Sequence, residues 1–153
     1  MPHPGAFGVL LTLHVVLALF LLGPLALVCV TAPVLLRAVP GPLPVLLLAT
    51  RLVRVLAAAS LIIVLTGVGL VHQGSFGSVR SLSDGWLLSS LVLWVVGCAC
   101  CLGLVAPGMS RAIAEVEAGA DVRRRIAGIA LGAGTSTLCW LVVAALMVIK
   151  PGA

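Results

Sequence analysis

Charge is what this 153-residue sequence has least of: four Asp and Glu, nine Lys and Arg, and 8% charged residues in all, against about 25% in a soluble domain. That scarcity leaves no stretch from which a soluble domain could be built. Paired carboxylates are missing from the apolar segments, which excludes acid–base chemistry of the two-carboxylate kind within them. A glycine loop followed by Lys-Ser or Lys-Thr is absent, as is a His-Glu-x-x-His helix, so neither a phosphate cradle nor a zinc-protease site is expected. Tyrosine is absent and aromatics make up 4% of the chain. The net charge of +5 therefore has no aromatic platform beside it, and nucleic acid is not an expected partner.

What is abundant is hydrophobicity, at 62% of residues. It falls in four runs, Phe7 to Ala32, Val53 to Val71, Trp86 to Ala106 and Ile126 to Ile149. Each is long enough to cross the hydrocarbon core of a bilayer, which takes about 20 residues. Apart from Arg54 at the edge of the second run, the one ionisable side chain among them other than cysteine is His14. The expected fold is an all-α membrane protein, a four-transmembrane-helix bundle forming a single integral domain, with the lipid bilayer as its main partner.

Orientation follows from the cations. Arg37, Arg51 and Arg54 occupy the first connection and Arg111, Arg123, Arg124 and Arg125 the third, while the second holds Arg80 and the C-terminal tail Lys150. The positive-inside rule then puts the first and third connections in the cytoplasm and both termini outside it, whatever Asp84, Glu115, Glu117 and Asp121 contribute. The connections Arg37 to Arg54 and Arg111 to Arg125 are expected to hold at most a short surface helix. A cleaved leader is not expected, because no Lys or Arg precedes the first run and the run exceeds an h-region in length. Ala26-Leu27-Val28-Cys29 also lacks the small residue that a lipoprotein cleavage box carries before its cysteine.

The chain matches itself at a shift of 74 residues, which lays Gly23, Ala32, Pro33, Arg37 and Ala38 on Gly97, Ala106, Pro107, Arg111 and Ala112. Two duplicated helical hairpins, related by an axis along the membrane normal, are the expectation. Pro33 and Pro107 should kink their helices. Arg37 and Arg111 should extend their stems toward phosphates. Packing should come from Ala57, Ala58, Ala59 and Ser60 in the second span and from Gly128, Gly132, Gly134, Thr135 and Ser136 in the fourth.

Candidate site residues are few. His14 lies about 10 Å into the first span, and His72 ends the second at the same face, so both belong to one half of the membrane. Neutral imidazole is a ligand for haem iron and for copper, and the pair is the candidate binding site for haem b or copper. Cys98 and Cys101 share a helical face that Cys29 is placed to reach, which makes them secondary copper candidates. Against this stands the ordinary behaviour of buried cysteine as a small apolar residue. The five cysteines, Cys139 and Cys100 included, all fall in apolar runs and imply no disulfide framework. Trp86 is the best candidate for an interfacial anchor.

Several short motifs are similar to those of small bacterial integral-membrane families related to the copper-resistance-D group. They are Leu13-His14 with Gly23 nine residues on, Arg51-Leu52-Val53-Arg54 before the second span, Thr66-Gly67 near its end, and Trp86-Leu87-Leu88-Ser89-Ser90-Leu91 opening the third. The resemblance covers about residues 9 to 112. It implies a multi-pass protein of the bacterial cytoplasmic membrane, in a group that includes copper-transfer proteins and a haem-containing oxidase. The chain departs from that group in lacking a tryptophan after the first histidine, where Phe20 and Leu21 stand, which argues against oxidase activity. The leading expectation is haem b or copper at His14. A cofactor-free structural or accessory protein of a larger membrane complex competes with it, and a small transporter acting as a homodimer or higher homo-oligomer ranks third.

Overall fold

A computed structural model describes residues 4–38, 43–72 and 85–149. They are helical apart from short turns, with no strand among them. Four rods, Gly5–Arg37, Leu43–His72, Gly85–Glu117 and Arg123–Ile149, are long and apolar enough to cross a membrane. The protein is thus the all-α, four-helix membrane bundle that the hydropathy predicts. The first rod is α1 (Pro4–Arg37); the second is α2 (Leu43–Ala59) followed by α3 (Leu61–His72). The third is α4 (Gly85–Cys100), a five-residue π turn (Cys101–Val105) and α5 (Ala106–Glu117), and the fourth is α6 (Arg123–Ile149). His3, the glycine- and serine-rich segment Gly74 to Ser78, Arg80, Asp84 and Lys150 lie outside the described residues.

The rods are longer than the apolar runs, which corrects the expectation of polar connections from Arg37 to Arg54 and from Arg111 to Arg125. Helix continues through Arg51, Arg54 and Arg111: α2 already begins at Leu43, and the connection between α5 and α6 shrinks to residues 118–122. Hydropathy alone stops a span at its first cation, yet Arg, Ala, Met and Glu are all good helix formers. The stop signals stand elsewhere. Pro44 sits in the first turn of α2, where its missing N–H costs nothing. Gly119, at φ 70°, closes α5: its N–H donates to Val116 O at 3.1 Å and the N–H of Ala120 to Glu115 O at 2.8 Å, the paired bonds of a Schellman end. Asp121 Oδ1 then accepts from the N–H of Arg123 at 2.9 Å and starts α6. A rod of 33 residues is about 50 Å long, well beyond the roughly 30 Å hydrocarbon core.

The two prolines with matched positions behave differently. Pro33 is carried inside the continuous α1. Pro107 follows the π turn, in which the N–H of Ala106 donates to Cys101 O five residues back. A widened turn ahead of a proline relieves the clash between its ring and the carbonyl four residues earlier. The repeat therefore matches in sequence but not in local geometry. Burial at the matched positions also diverges: Ala32 and Ala106 are both buried, whereas Gly23 is exposed and Gly97 buried.

Packing is uneven along the bundle. At the arginine end α1 lies on α2 and α6, and α2 lies on α5 and the π turn, closing a ring of four. Its core runs through Leu25, Cys29, Ala32 and Leu36 on α1, Leu46, Val53 and Ala57 on α2, Val105 and Met109 on the third rod, and Ile129 and Ala133 on α6. Toward the histidine end α3 packs on α1 and α4 on α6, as two pairs. The outward faces are apolar, with Leu19, Leu27, Leu131 and Leu141 more than 60% exposed. A surface of that kind calls for lipid rather than water.

Candidate functional site

The candidate site lies where α1 meets α3. Of the two described histidines, His14 is buried, at 8% exposure. Its Nδ1 is 2.8 Å from Thr66 Oγ1. Thr66 in turn donates its hydroxyl proton to Ile63 O, one turn back on the same helix, at 2.9 Å. A hydroxyl has one proton, and here it is committed to a carbonyl, so the oxygen accepts from the imidazole. Nδ1 therefore carries the hydrogen and Nε2 a lone pair. Besides Thr66 and the Ile63 carbonyl, which also lies against the ring, the imidazole has no hydrogen-bond partner among the described residues. A second bond that fixes tautomer and ring orientation is what metal-binding histidines have.

Small residues make this approach feasible. A Cβ on Gly67 would lie 3.2 Å from His14 Cε1, and one on Gly69 would lie 3.3 Å from Leu10 Cδ2. Larger residues at either position would push α3 away from α1 and lengthen the His14–Thr66 bond. Among the described residues, Thr66 and Gly67 are the functional neighbours that hydropathy and histidine counting overlook. Their signal in the sequence is a hydroxyl and a glycine side by side near the end of the second span, at the depth that an antiparallel rod shares with His14.

His72 is placed differently. It is exposed, and its Nδ1 lies 3.1 Å from Val68 O on its own helix. It stands six residues beyond Thr66, about 9 Å along α3. The bundle does not bring His72 into contact with His14, and no three His, Cys, Asp or Glu side chains converge as a metal would require among the described residues.

The cysteines separate into two sites near the middle of the bundle. Cys101 Sγ is 3.6 Å from Cys29 Sγ, both side chains are fully buried, and the buried Ser136 hydroxyl lies against both. Cys98 faces the second rod, 3.5 Å from Ser60 Oγ, and Trp94 Nε1 donates to that hydroxyl at 3.2 Å. Residues three apart on a helix point about 60° away from each other, enough to send Cys98 toward one rod and Cys101 toward another. Cys29 thus reaches Cys101 but not a joint face with Cys98. All five cysteines are free thiols.

Ser60 marks the break between α2 and α3. Its hydroxyl donates to Ala57 O at 2.7 Å, and the N–H of Ile63 donates to Ser60 O at 3.0 Å in a tightened turn. The expected small-residue seam in the fourth span also divides. A Cβ on Gly132 would stand 2.9 Å from Leu104 Cβ, so that glycine seats α6 on the third rod, whereas Gly128 and Gly134 have open space beside them. Gly97 admits the Trp140 indole, whose Nε1 lies 2.7 Å from a Cβ built there. Trp86, the expected anchor, stands in the first turn of α4 with its indole N–H enclosed.

Compared with known protein families, curated proteins and solved structures, the chain finds no match in any of the three.

Proposed function

We propose that this is a multi-pass protein of the bacterial cytoplasmic membrane that binds haem b, or else copper, through Nε2 of His14 on the extracytoplasmic side. The observation that carries the reading is the His14···Thr66···Ile63 hydrogen-bond cluster, which orients the one imidazole of an otherwise apolar span and, with the Thr66 proton on Ile63 O, leaves the lone pair on Nε2. Polar groups at such depth are expensive and are functional candidates by default. Haem is the better fit of the two groups, because one axial imidazole suffices to hold its iron. Copper would need further ligands, and His72 is engaged with its own helix. Haem would supply one-electron chemistry; the chain's own part is to orient the ligand through Thr66 and to enclose it between α1 and α3. The loose resemblance to the copper-resistance-D group supports this choice, and the arginine bias supports the orientation.

The test is the oxidised and dithionite-reduced absorption spectrum of detergent-purified protein, with elemental analysis for iron and copper, from cells supplied with haem precursor and copper. A Soret band or stoichiometric copper is expected in the wild type and lost in His14→Ala. Thr66→Val should weaken binding by about 10- to 100-fold, the usual cost of removing an orienting partner. A colourless, metal-free wild type would overturn the reading and leave the accessory-protein alternative, with His14 serving only to join α1 to α3.

A further inference from the structure

At the opposite end of the bundle a groove of about 480 Å³ runs between the third and fourth rods. Its apolar part is walled by Gly103 and Leu104 on one side and Gly128 and Ile129 on the other, and its mouth carries Arg111, Glu115, Asp121, Arg124 and Arg125. The two glycines that open it are distinct from those that join helices. A Cβ on Gly103 or Gly128 would meet nothing within 4 Å, while one on Gly108 would strike Ile129 and one on Gly132 would strike Leu104. The hollow is therefore a consequence of particular side chains, not of loose packing.

The charges at the mouth are partly accounted for. Glu115 pairs with Arg125, and Asp121 accepts from the N–H of Arg123. Arg111 and Arg124 are exposed and have no hydrogen bond or ion pair among the described residues. The mouth thus carries three guanidinium groups against the carboxylates of Glu115 and Asp121. Arg111 and Arg124 stand unpaired at the polar end of a channel that continues for about 12 Å along the helix, from Arg111 back to Gly103. Its wall includes outward-facing residues of the rods, Leu104 at 49% exposure and the exposed Gly103 and Gly128.

We propose that this groove is a binding site for one anionic phospholipid, with Arg111 and Arg124 on the phosphate and an acyl chain laid along Gly103 and Gly128. Guanidinium groups match phosphate oxygens in geometry as well as charge. A glycine-lined channel open to the bilayer accepts a methylene chain without displacing protein atoms. Continuity between the cationic mouth and the lipid-facing channel selects a lipid over a free phosphate ion, which would leave the channel unfilled.

Native mass spectrometry of the intact protein in mild detergent tests this, with phosphatidylglycerol and phosphatidylcholine titrated side by side and inorganic phosphate as a competitor. Wild type should retain one phosphatidylglycerol in preference to phosphatidylcholine. The double variant Arg111→Gln/Arg124→Gln should lose about tenfold or more in affinity, since each cation near a phosphate contributes roughly a factor of five. Gly128→Leu, whose Cβ would meet nothing within 4 Å, extends a side chain into the channel and should lose binding while keeping the wild-type thermal midpoint. The double variant Arg51→Gln/Arg54→Gln removes the same charge from α2, outside the groove, and should bind as wild type does. Equal retention of the two lipids, or equal weakening by both double variants, would overturn the site as a general charge effect. Displacement by inorganic phosphate at the lipid's own concentration, with Gly128→Leu unaffected, would overturn the lipid as occupant in favour of a phosphate ion.

Discussion

The arginine half of this bundle is less apolar than the histidine half, since α2 and α5 carry its cations while α3 and α4 of the histidine half carry no Lys or Arg. Yet it is the arginine half that closes into a ring of four rods. Around Cys29, Val53, Met109 and Ile129 four rods close on one another, and side chains there are almost wholly buried. Around His14 the contact is a single helix pair, α1 on α3, joined by one hydrogen-bond chain. In lipid, apolarity gives no preference for protein over solvent, so rods associate where small residues and matched shapes permit close approach. The arginine half has Ala32, Ala49, Ala57, Ala106, Ala112, Gly132 and Ala133 at its centre. The histidine half has Gly67 and Gly69 on one rod and bulky Leu and Val around them.

The comparison is most severely challenged by filling a close approach. Gly132→Leu should force α6 off Leu104 and Val105, costing at least the ~1–3 kcal/mol typical of overpacking; unfolding in mixed micelles should show a large loss of stability. Gly67→Leu, at the other end, should separate α1 from α3 with a smaller loss, because only one helix pair is held there. If the two variants lose the same stability, the halves are not packed differently. Ser60→Ala comes next: it removes the acceptor of Trp94 Nε1, and an indole N–H left unpaired should cost about 1–3 kcal/mol, read as a lower midpoint in the same assay. Amide exchange sharpens the contrast further, since α3 should exchange before α2 if the histidine half opens independently. The smallest effects belong to Gly134→Ala and Arg54→Gln. The first meets open space and gains about 1 kcal/mol at most from helix propensity. The second loses a bond from the guanidinium to Ser110 Oγ and should change stability by less than about 1 kcal/mol, as exposed polar pairs do.

Different parts of the molecule were legible in different ways. Four spans could be read because a charge inside a span is so costly that its rarity leaves long clean runs. Rod ends could not be read from hydropathy, since Arg51 and Arg111 are polar to a hydropathy count but acceptable to a helix. The signals that do mark the ends, Pro44 and Gly119, are conformational. Of the candidate site, His14 stood out from its apolar neighbours, whereas the role of Thr66 depends on which rod lies opposite. His72 and Cys98 shared a half or a face with their supposed partners, and the fold sends each to a different neighbour. The 74-residue repeat anticipated two hairpins, but it could not show that only Pro107 is preceded by a π turn.

The sequence by itself determined the class of the protein, because the cost of burying charge in lipid acts on each residue separately and needs no partner. It likewise singled out His14 as the lone imidazole within an apolar run. Only the tertiary structure decided which nitrogen of His14 is engaged, that Cys29 meets Cys101 but not Cys98, and that Gly103 and Gly128 leave a channel while Gly132 closes a contact. Those outcomes depend on the azimuth and depth of neighbouring rods, set by packing among residues distant in the chain, and no local pattern encodes them.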